Sequence, residues 1–310
     1  MLKMMKVLVV LVSVLTAASV FATDDKPAAS AGVPVTRLTV VTGQAAPSPK
    51  DSSKRLTPQV LVKILKKAEK SDAVYKKWGG DKNKIVNEEW LGNLDLIYGH
   101  YTSATANEAL VISREGNRPH SDGDSHVWLV GQQGGQWAFL RKLAVWDEVT
   151  VEVLDVNGDG IDEVMISGSG GNGMAHHEGT LYSFKDNQET ILYENEGHDN
   201  WIHSSHPEFK KNILERLYTV SFTKPDAAGV RTLVEQQTLL MGKRISKQKK
   251  DSAPSEQFEE NGNKYVTTRF NLENGVYRPV PGSAVTTKKP VELKTVTDKT
   301  VRVSAGGSGN

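Results

Sequence analysis

Between Ile97 and Pro279 the chain is written in short apolar runs that alternate with polar residues or are β-branched, set apart by Gly, Asn, Asp and Ser. That is the spacing of half-buried β-strands separated by turns. Strands are expected over residues 108–112, 127–130, 137–140, 149–154, 163–166, 180–184, 190–193, 217–222, 231–240, 265–272 and 276–279. Tight turns are expected at Gly134-Gly135, Asp186-Asn187 and Asn274-Gly275, whose residues tolerate positive φ at little cost. Upstream the period changes. Val60, Leu61, Ile64, Leu65 and Ala68 recur at helical spacing, with Lys63, Lys66, Lys67 and Lys70 off that stripe. Thr57 followed by Pro58 marks the helix start, because a hydroxyl caps free amides and Pro suits the first helical position. Gly79-Gly80 ends the helix near Trp78, and a second, shorter helix is expected over 87–94. The apolar stripe should pack on the sheet that follows.

The strand pattern repeats. Placing Glu108 on Glu163 aligns two units about 55 residues apart, each a set of hairpins of propeller-blade size. A third echo runs over 222–227, with Leu233 and Val234 behind it. In the second unit the loop and the strand after it read DVNGDGIDEVMI (155–166); in the first unit the loop reads YTSATAN (101–107). Asp155, Asn157, Asp159 and Glu163 fall on alternate positions around Gly158 and Gly160. A hard cation such as calcium takes about six to eight oxygens at about 2.3–2.6 Å, and a short loop supplies them when alternate residues point inward. The carbonyl of Ile161 would fill the gap between Asp159 and Glu163, while Asp162 is expected in solvent or outside the ligand set. A hairpin turn that binds nothing favours the same residue types, but a turn alone does not need Asp155, Asp159 and Glu163 together.

An EF-hand requires a bidentate Glu at its twelfth position and a helix on each side. Here that position is Ile166 and both flanks read as strands, and a dockerin-type loop fails on the same residue. Asp155, Asn157, Asp159, Gly160 and Glu163, followed by an apolar run, resemble the loop of FG-GAP or VCBS-like repeats, the calcium hairpins of integrin-type β-propellers. The resemblance is specific over residues 155–166 and loose over the surrounding unit. It implies a calcium ion held by Asp155, Asn157, Asp159, the Ile161 carbonyl and Glu163, on blade-like antiparallel sheets.

Composition refines this picture. Residues 1–22 read as an export signal: Lys3 and Lys6 open it, 7–15 are apolar, and Ala22 offers a cleavage site. The apolar run is too short to span a membrane, and no longer one follows. Residues 23–55 carry Pro27, Pro34, Pro47 and Pro49 and read as a flexible linker, with 33–42 as an adventitious strand at most. A helical segment (56–96), the β-repeat domain (97–282) and a mobile tail (283–310) complete the organisation. The chain has no Cys, which excludes disulfides and thiol chemistry and fits a bacterial periplasmic or secreted protein. Without Lys3 and Lys6 there are 36 basic residues against 37 acidic ones, a balance that excludes a general nucleic-acid binder. Residues 243–250 hold five basic side chains and read as a solvated loop.

Catalytic motifs are missing. His176, His177, His198, His203 and His206 fit no HExxH or three-ligand zinc spacing and read as loop histidines. The Gly-rich stretch 167–173 lacks the GK[ST] ending of a P-loop, and no GxSxG elbow exists. The loops 168–178 and 198–206 are the expected partner-binding face, with Trp201 as a contact for a sugar ring or a protein. The fold class expected is mainly β: propeller-blade-like antiparallel repeats, an incomplete or irregular propeller, behind a short N-terminal helical segment. The function expected is an exported, calcium-binding β-repeat protein acting as a non-enzymatic binding or structural module for a protein or carbohydrate ligand. The alternative is a secreted or periplasmic hydrolase acting on polysaccharide or peptide. Neither nucleic acid nor a membrane span is expected.

Overall fold

The computed structural model describes residues 37–40, 56–71, 93–113, 125–146, 148–170, 176–200, 212–244, 258–293 and 301–305. The leader at 1–22, the expected helix end at 72–78, most of the second helix at 87–92 and the stretch 245–250 lie outside these residues. The chain order is β1 (Arg37–Val40), α1 (Pro58–Ser71), β2 (Asn93–Gly99), β3 (Glu108–Ser113), β4 (Ser125–Gln133) and β5 (Gln136–Trp146). It continues with β6 (Glu148–Leu154), β7 (Glu163–Gly170), β8 (His176–Ser183), β9 (Thr190–Asn200) and β10 (Ile213–Phe222). Last come β11 (Leu233–Arg244), β12 (Phe258–Glu273), β13 (Val276–Pro279), β14 (Val285–Thr287) and β15 (Val301–Ala305). The protein is mainly β.

Two sheets hold these strands. The first runs β1-β2-β3-β4-β5; the second runs β13-β12-β11-β10-β9-β8-β7-β6-β15, with β14 on β12. From β2 to β5, and from β6 to β13, every strand pairs antiparallel with the next, so the chain lays down meanders β2–β5, β6–β9 and β10–β13. The seam between the last two is short: β9 meets β10 only at His198, Asp199 and Asn200. The described strands do not close into a ring. The expected turns are present, with positive φ at Gly134 and Gly135, at Asp186 and Asn187, and at Asn274 and Gly275; this backbone twist matches that of the flanking strands.

The first sheet is buried on both faces, which is why β3 is buried along its whole length. On one face Leu61 and Leu65 of α1 pack with Leu94, Tyr98, Val111 and Trp128. Thr57 starts the helix as expected, its hydroxyl accepting the Val60 amide at 3.3 Å. Leu56, just before that cap, joins the same cluster as Leu61, an apolar clasp that fixes the entry of the helix. Val60, assigned to the stripe by its spacing, is exposed instead. On the other face Ile97, Leu110, Ile112, Val127 and Leu129 meet Val149, Val151, Val153, Val164 and Ile166 of the second sheet. A third cluster, including Leu154, Leu181, Phe222, Leu233 and Tyr277, lines the second sheet where it curls.

Several expectations need correction. Arg37–Val40, within the stretch read as linker, forms β1 and pairs in parallel with β2. Asn93 and Leu94 belong to β2, not to a helix, because Leu94 is needed in the core under α1. The segment read as a tail supplies β14, paired with β12, and β15, paired with β6. Residues 168–170 and 176–178 are paired strand ends and not loop, since β7 and β8 continue pairing out to Gly170 and His176.

Candidate metal centre

Residues 155–162 connect β6 to β7, so two buried strands fix both ends of the loop. Gly158 and Gly160 turn it with φ of 76° and 78°, a region that suits a residue without Cβ. Asp155 organises the backbone: Oδ1 accepts the amides of Gly158 at 2.7 Å and Asn157 at 3.2 Å, and Oδ2 accepts that of Gly160 at 3.0 Å. Asn157 Oδ1 accepts the Asp159 amide and Asp159 Oδ1 the Ile161 amide, both at 2.9 Å. Glu163 Oε2 accepts the Val156 amide at 2.9 Å, and Asn157 Nδ2 approaches Oε1 at 3.4 Å. The sequence-predicted set is thus brought together in one hairpin, with Asp155 and Asn157 half-buried, Asp159 exposed, and Ile161 and Glu163 buried.

Charge is crowded here. Burial pushes the Glu163 carboxyl up to about 8, and Asp155, Asp159 and Asp162 push the same way against the stabilising Val156 amide. The exposed Lys185 ammonium lies 2.9 Å from Asp159 Oδ2 as the local positive charge. The donors are those calcium favours, carboxylate, amide and carbonyl oxygens with nothing soft among them. The same carboxylates accept loop amides, which fixes the shape of the hairpin. Among the described residues no three His, Cys, Asp or Glu side chains form a ready-made cage. The donor chemistry is that of a calcium site, and since a carboxylate oxygen that accepts an amide keeps a second lone pair, occupancy would require Lys185 to withdraw from Asp159.

Two further residues join this loop to its neighbours. Asp162 was expected in solvent or outside the ligand set; it is buried, and its Oδ2 accepts the His100 amide at 2.9 Å. The Asp162 amide donates back to the His100 carbonyl at 2.7 Å. On the other side Arg231 donates its amide to the Val156 carbonyl at 2.8 Å and its Nε to the Asp155 carbonyl at 3.1 Å. Arg231 is itself buried, with a second bond to the Thr223 carbonyl. The strand pattern placed Arg231 at the start of a strand that in fact begins at Leu233, and it passed over Asp162; both contact other hairpins only in the fold.

The first unit repeats part of the design. Glu108 Oε2 accepts the amides of Tyr101 at 2.7 Å and Thr102 at 2.8 Å, as Glu163 accepts that of Val156. The separation is seven residues for both Tyr101 and Val156. Residues 101–107 carry no acid, so only the carboxylate cap is kept. The histidines do not join the site as a group: His176 and His177 lie on β8 and His198 on β9, with His177 opposite His198. Trp201, His203 and His206 lie outside the described residues. No protein-family model matches the chain, and no curated protein matches it.

Proposed function

We propose that this protein is an exported, calcium-stabilised β-repeat module that binds a partner and does not turn over a substrate, its meanders standing as blades of an open, irregular propeller. The observation that carries the metal reading is the one hairpin that gathers Asp155, Asn157, Asp159 and the buried Glu163 around Gly158 and Gly160. Crowded carboxylates favour protonation, and a divalent cation between them reverses that preference. Calcium supplies the missing positive charge and oxygen coordination there. Asp162 and Arg231 tie the same loop to the hairpins on either side. An ion in the loop would therefore stiffen three meanders at once. Export rests on the leader-like residues 1–22, and the binding role rests on the lack of a nucleophile or three-ligand metal motif in the sequence.

The direct test is calorimetric titration of calcium into the protein at neutral pH. One site per chain is expected, and Asp155→Ala should remove it. Since Glu163 must ionise to bind, protons should be released, and the heat should change between buffers of different ionisation enthalpy. No heat in any buffer with the wild-type protein would overturn the metal reading.

A further inference from the structure

The second sheet is strongly curled. Strands in a flat sheet lie about 4.8 Å apart, so side chains on β9 and β12 would stand about 14 Å from each other. The Tyr193 and Phe270 rings, on those two strands, instead meet edge to face with centroids 5.4 Å apart. Tyr193 also donates its hydroxyl to Glu235 on β11, reaching over β10. Since β9 pairs with β10 only at 198–200, its first half leaves the plane of the sheet and lies across the face of β10–β12, and the two enclose a trough. At the end near the metal loop it is filled by Phe222, Leu233 and Tyr277. Further along, its lining turns polar. Register places Val220 opposite Glu235 and Tyr218 opposite Gln237, so these share the concave face with Tyr193.

The polar residues form a connected set. Gln237 Nε2 donates to Glu235 Oε1 at 2.8 Å, and Asn195 Nδ2 donates to the Tyr193 hydroxyl at 3.1 Å. Arg216 donates to the Tyr218 hydroxyl at 3.1 Å and stands 5.9 Å from that ring's centroid. Tyr193 and Glu235 are buried behind, whereas Asn195, Arg216, Tyr218 and Gln237 remain half-buried and within reach of solvent. Burying a carboxylate this way costs free energy that an apolar lining would not. Stability alone does not call for such a lining.

Its chemistry narrows the ligand. Glu235 only accepts, Arg216 only donates, and the two amides and two phenols do both. Sugar hydroxyls also donate and accept, and they arrive in closely spaced sets. An anion would meet Glu235 and a cation would meet Arg216, so a neutral ligand suits the pair. We propose that this trough binds a neutral oligosaccharide, gripped by Asn195, Arg216, Tyr218 and Gln237 with Tyr193 and Glu235 behind them. The proposal rests on the reading of the protein as a binding module, and not on the calcium ion.

Short neutral oligomers of glucose, xylose, mannose, galactose and N-acetylglucosamine would be screened against the full chain, once in calcium and once in chelator. Any binder would then be titrated calorimetrically. At least one should bind, and Tyr218→Ala and Arg216→Gln should each weaken it about tenfold or more, the scale of one lost aromatic or charge-assisted contact. Tyr218→Phe, which keeps the ring and the fold, should give a smaller loss. Melting temperatures of all variants would confirm that they fold. The proposal is overturned if none of these oligosaccharides binds the folded wild-type chain. It is equally overturned if a binder is indifferent to the substitutions, or if uronic-acid oligomers bind better. Sugar binding without any calcium heat would sink the metal reading alone, and calcium heat without sugar binding would sink this proposal alone.

Discussion

Asp162 holds His100 by a two-way exchange, carboxylate to amide and amide to carbonyl. Removing its side chain leaves the His100 amide without that acceptor in a part-buried place, so Asp162→Ala should cost about 1–3 kcal/mol of unfolding free energy. Urea denaturation measures this, and a change within experimental error would return Asp162 to the status of a solvated acid. His126 is the residue with the plainest pH signature. It is buried on β4, stacks on Trp128 with centroids 5.0 Å apart, and is held down to about 3 by burial and then by Lys142. An unfolded chain protonates histidine near its ordinary value of about 6.5. Between that pH and about 3 the unfolded state binds one more proton than the folded state, so stability falls as pH falls through this window. His126→Gln should flatten the fall, read as the melting temperature of each protein against pH; parallel profiles would contradict the burial argument. Neither role was legible in the sequence. The alternation that singles out Glu163 passes over Asp162 and gives no hint of its bond to His100, and His126 borders an apolar run without belonging to its period.

Among elements, the hairpin loops carry the contacts that matter. A Cβ on Gly158 would lie 2.9 Å from the Gly229 Cα in the β10–β11 connection, and both residues have positive φ. A Cβ on Gly160 would meet only the Ala104 methyl at 3.5 Å. Both Gly158→Ala and Gly160→Ala strain the backbone, by about 1 kcal/mol or more. Only Gly158→Ala also pushes two loops apart, so it should be the more destabilising in urea melts. The reverse order would mean that the loops do not pack as described. Strand centres were legible because apolar positions alternate, as in Val149, Val151 and Val153. Strand ends were not. The first half of β12 reads FEENGNK, with residues 261–264 exposed, and pairing with β11 alone makes it a strand. β14 and β15 are short strands added by backbone bonding to β12 and β6 in a stretch read as a tail, whereas β1 falls inside 33–42, the part of the linker that offered a strand.

At the scale of the whole molecule, the repeat seen as Glu108 on Glu163 foretold successive sets of hairpins, whereas the capping of the preceding loop by each of these two carboxylates emerges only in the fold. It did not foretell that β9 and β10 would share a seam, or that the second sheet would curl until Tyr193 touched Phe270. Those features depend on contacts between residues far apart in the chain, which no local period encodes. The 155–162 loop stands where the three meanders meet, bonded through Asp162 to the first and through Arg231 to the third. Binding to the folded state alone adds about 2.7 kcal/mol when the ion is a hundredfold above its dissociation constant, which is several degrees in melting temperature for a protein of this size. Magnesium should do less, because it demands a tighter octahedral shell and gives up water reluctantly. The most direct test is therefore the thermal melt of wild type and Asp159→Ala in calcium, magnesium and chelator. A rise of several degrees is expected for wild type in calcium, little in magnesium, and none for Asp159→Ala. Equal melting temperatures for wild type in saturating calcium and in chelator would contradict the calcium reading.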